Sequence, residues 1–327
     1  MQQKTAPSSS PLADAQCIVI KVGTALVFDE YKREPRTAWM AALAQDVMHL
    51  RDQGKDVTLV SSGAIALGRM KLGETKPKAE MTVAEKQAMA AVGQQELMKL
   101  WDEAFKPHGI AAAQLLLTKN DFKNGKVADM KRQFKDYARK ILPRLFPEEE
   151  NPKANIKHTI AALHGRKTVA IVNENDATAT DEIKFGDNDR LGALVAKLVK
   201  AQSYIILSDI NGLYTGNPQK DPKAQHIAVV DRIDDKIRSM ATGPVSAGSS
   251  GGMISKVQAA EIATKADCAT IICHGNPKDA TGATLPPISA LVAGGQHTVF
   301  LAANAPIRPM NDHALVRKLS GQSHSYH

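Results

Sequence analysis

The sequence predicts an α/β protein, a three-layer αβα sandwich built on a mainly parallel open sheet. Three observations lead there. Short apolar runs rich in β-branched residues, such as T-V-A-I-V at 168–172, alternate with stretches whose apolar residues recur at helical spacing, such as 191, 194, 195, 198 and 199. Strands alternating with helices imply parallel pairing, with helices covering both faces. The turns after the strands carry glycine and polar residues, and open sheets bind ligands at those carboxyl ends.

Each element follows from its local pattern. Residues 17–21 read as a strand ending in K-V-G-T. Residues 37–53 are amphipathic, with Leu43, Val47 and Leu50 on one face, and stop at Gly54, a natural C-terminal cap. A strand at 57–60 runs into S-S-G-A-I-A-L-G, which opens a helix; 82–105 is helical and 110–117 strand-like. A basic helix is expected from 119 to about 145. After it, 146–157 (F-P-E-E-E-N-P-K-A-N-I-K) reads as a surface insertion and 158–164 as a short helix. Then come the strand at 168–172, the helix at 191–199, a strand at 203–209 and a loop rich in Pro, Asp and Lys at 212–226. A helix at 255–266 and a strand at 270–273 complete the alternation.

Composition narrows the function classes. With 327 residues and 43% hydrophobic content, one large α/β domain can bury its core. No apolar run approaches the roughly 20 residues that span a bilayer. Residues 1–15 are polar, lack the apolar core of a signal peptide and read as a disordered tail; 304–327 read as a second tail, and a cytoplasmic location is expected. Cys17, Cys268 and Cys273 suit neither a zinc site nor a disulfide framework and read as buried structural thiols. The net charge of +8 fits anionic ligands such as nucleotides, and it also fits nucleic acid. Nine Lys or Arg against three Asp fall within 119–144, which reads as a solvated helix face. Aromatics are 4% of the chain and are not interleaved with the basic residues as stacking platforms would be. Neither a membrane nor nucleic acid is the expected partner.

The most informative stretch is 173–189, N-E-N-D-A-T-A-T-D-E-I-K-F-G-D-N-D. It is crowded with acidic and amide side chains, yet lies where a strand ends and a helix begins, a place that can hold an ammonium group, orient lysines or accept a metal. Four glycine-bearing turns join it: K-V-G-T (Lys21), S-S-G-A (Ser61), S-D-I-N-G-L-Y-T (Ser208) and G-S-S-G-G-M-I-S-K (ending at Lys256). The second offers backbone N–H groups at a helix N-terminus, which suits an anion. Taken singly, each is an ordinary turn. There is no Walker A motif, no G-x-G-x-x-G fingerprint and no H-x-x-x-H or C-x-x-C spacing.

The order of these motifs resembles the amino-acid kinase family, and within it the branch that phosphorylates glutamate. The resemblance spans 17 to about 275 and extends to K-Q-A-M-A-A-V-G-Q-Q-E-L-M-K-L-W and Q-L-L-L-T. It implies an amino-acid kinase domain over 16–303, with a surface insertion at about 123–167 where the chain is longer than the usual pattern. The RNA-modification-type (PUA) domain that many bacterial members append is not recognisable.

The resemblance implies transfer of the ATP γ-phosphoryl group to the side-chain carboxylate of L-glutamate, the opening step of proline synthesis. A carboxylate of unperturbed pKa about 4.3 is ionised at neutral pH, so no general base is needed; cations and N–H groups must offset the charge of two anions brought together. On the resemblance, Lys21, Lys256 and Asp189 are catalytic, with Asp189 fixing the two ammonium groups. Ser61, Gly63, Asp176 and Asn188 bind substrate. Lys21, Gly23, Ser208, Asp209, Ser250, Gly251, Gly252, Met253 and Lys256 bind ATP. Mg²⁺ enters with ATP, held chiefly by phosphates, with no protein metal ligand named. Glu182 lies where the family senses proline, a feedback inhibitor. The family also implies a dimer or tetramer and a glutamyl phosphate reductase to consume the product. Two other readings stay open: a related kinase of another acidic metabolite such as N-acetylglutamate, and a nucleic-acid-binding regulator on a kinase scaffold. The first would not need carboxylates at an acylated amine, and the second would not need every catalytic position filled.

Overall fold

The computed structural model describes residues 11–122, 152–178, 188–241 and 252–304. Strands β1 (Cys17–Val22), β2 (Asp56–Ser61), β3 (Ala111–Leu117), β4 (Thr168–Glu174), β5 (Ser203–Ser208), β6 (Val229–Val230), β7 (Ala269–His274) and β8 (His297–Phe300) form one sheet. Their order is β6-β8-β7-β5-β1-β2-β4-β3. Neighbours run parallel except β7 and β8. The mainly parallel open sheet expected from the alternation is therefore present.

Strand periodicity of two builds the layers. Ile18, Ile20 and Val22 face a core shared with α1 (Thr37–Asp52), α2 (Ala64–Lys71) and α3 (Val83–Phe105). Val19, Val60, Val172 and Ile206 face the opposite core, shared with α4 (Pro152–His164), α5 (Asn188–Val199) and α6 (Met253–Thr264). Lys21 has the parity of Val19, so its side chain emerges on the side of α5 and α6. Local signals set the helix ends. Thr82 caps α3, accepting from the Glu85 N–H at 3.2 Å while Glu85 accepts from the Thr82 N–H at 2.6 Å, a reciprocal capping box. Gly54, at φ +79°, ends the turn after α1.

Four expectations need correction. Residues 11–15 belong to the folded body: Leu12 and Ala15 are buried, and Lys55 Nζ donates to the carbonyls of Leu12, Ala13 and Ala15 at 3.3, 2.7 and 2.6 Å. Helix α4 starts at Pro152, where proline suits a first turn, rather than at 158, and Ile160 is buried in the core. The 212–226 loop contains most of a short hairpin, Leu213–Tyr214 paired with His226–Ile227. Strand β8, with apolar residues only at Val299 and Phe300, was too short to be legible as a strand. Most of the basic helix expected at 119–145 lies outside the described residues. The thiols are as expected: Cys268 and Cys273 are buried and Cys17 half-buried, and burial raises all three pKa values, Cys273 to about 12. Among the described residues, no helix is long and apolar enough to cross a membrane.

One close approach positions the site. Where α2 crosses α3, a Cβ on Gly93 would lie 1.8 Å from the Ala64 carbonyl oxygen and 2.4 Å from the Gly68 nitrogen. Both clashes are with backbone, so only helix displacement could relieve them. Ala64 is the first residue of α2, so the displacement would move the N–H groups that face the site. Gly93→Ala should cost about 3 kcal/mol through overpacking. Urea unfolding measures it; an unchanged midpoint would mean the helices separate freely.

Candidate active site

The parallel register places the motifs side by side. Val22 pairs with Ser61 and with Leu207, and Val60 pairs with Val172, so the turns after β1, β2, β4 and β5 share one sheet edge. Helix α5 starts above this edge, its first turn carrying Asn188 and Asp189. Helix α6 lies against α5 and carries Lys256 near its start.

Lys21, Asp189 and Lys256 converge. Lys21 Nζ lies 2.6 Å from Asp189 Oδ1 and Lys256 Nζ 3.2 Å from Asp189 Oδ2. Asp189 is only 2% exposed. Burial pushes its pKa up, but the two ammonium groups and the Ser255 hydroxyl, which donates to Oδ2 at 2.8 Å, more than offset this and hold it well below the usual carboxylate range. Its position is fixed through the main chain as well: Tyr204 Oη donates to the Asp189 carbonyl at 2.7 Å. Gly192 leaves room for that ring, since a Cβ there would lie 2.4 Å from the Tyr204 hydroxyl.

Beside this triad runs a chain of amides. The Glu174 N–H donates to Asn173 Oδ1 at 2.9 Å, which sets the orientation of that amide. Asn188 Nδ2 then donates to the same oxygen at 3.0 Å and to Ser62 Oγ at 2.7 Å. At the other end, Asn173 Nδ2 donates to Gln94 Oε1 at 2.8 Å. The outcome is that Asn188 Oδ1 is buried with no donor among the described residues. A buried acceptor left in this state costs free energy unless a ligand supplies a donor.

Asn188 opens onto a pocket lined also by Thr24, Ser62, Gly63, Asn173, Glu174 and Asp176, and by Glu30, Arg69 and Lys78. Gly63 adopts φ +120°, and α2 begins immediately after it, so the N-terminus of α2 faces the pocket. Asp176 is strongly desolvated there, and its pKa rises to about 6 although Lys78 opposes the shift.

The site residues expected from sequence divide accordingly. Lys21, Asp189 and Lys256 meet, and Gly63, Asp176 and Asn188 share the adjoining pocket. Gly23 lies next to the triad, its Cβ direction meeting Lys21 Nζ at 3.7 Å. Gly252 and Met253 start α6. Ser208 ends β5, its hydroxyl donating to the exposed Asp209 carboxylate at 3.0 Å. Ser61 is corrected: it is fully buried and accepts the Trp101 Nε1–H at 3.0 Å, away from the pocket. It shares the parity of Val57 and Leu59, which face the α3 side, whereas Ser62 reaches the pocket. Ser250, Gly251 and Glu182 lie outside the described residues. Sequence reasoning missed Ser62, Ser255, Asn173, Arg69, Lys78 and Glu30 as contributors. Strand parity could have found Ser62, and adjacency to Lys256 could have found Ser255; nothing in the local pattern marks Glu30 or Lys78.

Comparison with known proteins agrees with this geometry. The profile described as the amino acid kinase family matches residues 16–274. The glutamate 5-kinase of Caulobacter vibrioides is 42% identical over 305 residues, covering 92% of this chain and 72% of that protein. The glutamate 5-kinase of Gluconobacter oxydans is 41% identical over 299 residues, covering 91% and 70%. Among solved structures, UMP kinase from Ureaplasma parvum superposes with a TM-score of 0.53 at 12% identity, covering 88% of this chain and 98% of that one. UMP kinase from Bacillus anthracis gives 0.54 at 9% identity, covering 89% and 97%. These two likenesses establish the fold alone. Motif order, fold, profile and relatives agree, and the chain belongs to the amino acid kinase family.

Proposed function

We propose that this chain transfers the γ-phosphoryl group of ATP to the side-chain carboxylate of L-glutamate, giving γ-glutamyl phosphate and ADP, the opening step of proline synthesis. The observation that carries the reading is the buried Lys21–Asp189–Lys256 arrangement beside a pocket with the polarity of a free amino acid. A glutamate carboxylate oxygen attacks the γ-phosphorus, and the bond to the β–γ bridging oxygen breaks with its electron pair leaving on ADP. No proton has to move. The barrier is electrostatic, and fixed cations lower it without reorganising.

In this reading, Lys21 acts on the transferring group from the substrate side and Lys256 on the leaving β-phosphate. Both Asp189 oxygens are already taken by the lysines. With those oxygens engaged, Mg²⁺ would be held chiefly by the nucleotide phosphates and would offset their charge. The N–H groups at the start of α2 receive the reacting carboxylate. Asp176 and the unpartnered Asn188 Oδ1 take the substrate ammonium; an N-acylated amine would bring no charge to the desolvated Asp176 carboxylate, which Lys78 offsets only in part. Ser208, Asp209 and the Gly252–Lys256 segment face the nucleotide.

Hydroxylamine trapping of the acyl phosphate tests the activity. Lys21→Ala and Lys256→Ala should each lower kcat by about 10²–10⁴, a few kcal/mol of transition-state stabilisation, with native circular dichroism. A fully active, folded Lys256→Ala would remove its assigned role.

The Asp176 carboxylate gives a pH signature. It ionises above a pKa of about 6, in the company of Lys78, Arg69, Glu30 and Glu174. Protonation at lower pH removes the charge that meets the ammonium. kcat/KM for glutamate should therefore fall about tenfold per pH unit below that value, while kcat at saturating glutamate falls less. Asp176→Asn should abolish this acid limb; a limb that persists unchanged in the variant assigns it to another group.

A further inference from the structure

The lining of the pocket includes a second pair of cations that the phosphoryl-transfer chemistry does not use. Arg69 comes from the last turn of α2 and Lys78 from a single 3₁₀ turn, Lys78–Glu80, in the connection to α3. Both line the same pocket as Asp176 and Asn188. Arg69 Nη1 lies 3.5 Å from Glu30 Oε2, but its Nε is buried with no acceptor among the described residues. Lys78 is half-buried, and among the described residues it has no carboxylate within ion-pair distance, although Asp176 and Glu30 are close enough to act on its charge.

The connection holding Lys78 is braced. Lys76 Nζ lies 3.0 Å from both carboxylate oxygens of Glu85, the capping residue of α3. Arg33 Nη2 donates to the Glu74 carbonyl at 2.9 Å, tying the connection to the short Phe28–Pro35 hairpin that carries Glu30. Met81 is buried against Ile65, Met89 and Ala90. Lys78 is therefore held over the pocket by a fixed support rather than by a loose loop.

This arrangement rests on the glutamate reading and deepens it. The reacting carboxylate is assigned to the triad side and the ammonium to Asp176 and Asn188. The remaining charge of a free amino acid is its α-carboxylate. We propose that Lys78, together with the Nε–H of Arg69, forms the subsite for the substrate α-carboxylate, and that Lys78 sets the preference for a free α-acid. Glu30 holds Arg69 in position and so keeps its Nε directed at that subsite.

The test compares L-glutamate with its α-amide, isoglutamine, which keeps the ammonium and the reacting carboxylate but lacks the α-charge. Acyl phosphate formation is measured for the unmutated chain, Lys78→Met and Lys78→Arg. Loss of a charge-assisted contact predicts that Lys78→Met lowers kcat/KM for glutamate tenfold or more, through KM, with kcat within about twofold. Because Lys78 also holds the Asp176 pKa down, both substrates are compared at about pH 8, where Asp176 stays ionised in the variant; there kcat/KM for isoglutamine should fall far less than that for glutamate, so the preference for glutamate collapses, and Lys78→Arg should restore most of it. An equal loss on both substrates, or an unaltered glutamate KM, would overturn the proposal. If the unmutated chain phosphorylates neither compound, the glutamate reading itself fails.

Discussion

Lys21, Asp189 and Lys256 come from three distant parts of the chain and meet in a buried space at the end of β1, with Asp189 almost inaccessible. Burying charge is costly, and a buried ion pair rarely repays its desolvation in stability. Two ammonium groups on one carboxylate also leave an excess of positive charge. That arrangement is poor as a fold stabiliser and well suited to a site awaiting the phosphates of ATP. Much of the surrounding structure serves it. Strand parity sends Lys21 to the α5 face, Tyr204 pins the main chain of Asp189, and Gly192 lets helix and ring come close enough to do so. Ser255 completes the shell around the carboxylate.

The neighbouring amide chain follows a different logic. Each member is oriented by the one before it, starting from a backbone N–H that cannot flip: Glu174 fixes Asn173, and Asn173 fixes Asn188. The unmatched acceptor at the end is thus set by the fold before any ligand arrives. Such pre-organisation cuts the ordering cost of binding. The approach of α2 to α3 through Gly68 and Gly93 has the same effect on the N-terminus of α2.

The layers of the fold were legible because strand and helix periods differ, and the sheet edge because every candidate motif follows a strand. Lys21, Asp189 and Lys256 could be named from motif order, since that order is what carries chain segments to one edge. The assignment of Ser61 failed on a single unit of register: adjacent residues of a strand point to opposite faces, and Trp101 took the hydroxyl that the turn was expected to use. Glu30, Arg69 and Lys78 were not legible, because their meeting depends on where a hairpin and an inter-helix connection fold back over the pocket. That is tertiary geometry without a periodic signature. The buried Leu12 was missed for a related reason: a lone apolar residue in a polar stretch gives no pattern, and its docking depends on Lys55, 43 residues away.

The central claim is that one aspartate aims two lysines at a migrating phosphoryl group. A crystal structure with ADP, aluminium fluoride and L-glutamate tests it directly. The account predicts the planar fluoride between the substrate carboxylate and the β-phosphate, with Lys21 Nζ and Lys256 Nζ both within hydrogen-bonding distance of it or its flanking oxygens, and both still held by Asp189. A fluoride group seated out of reach of either lysine would contradict it.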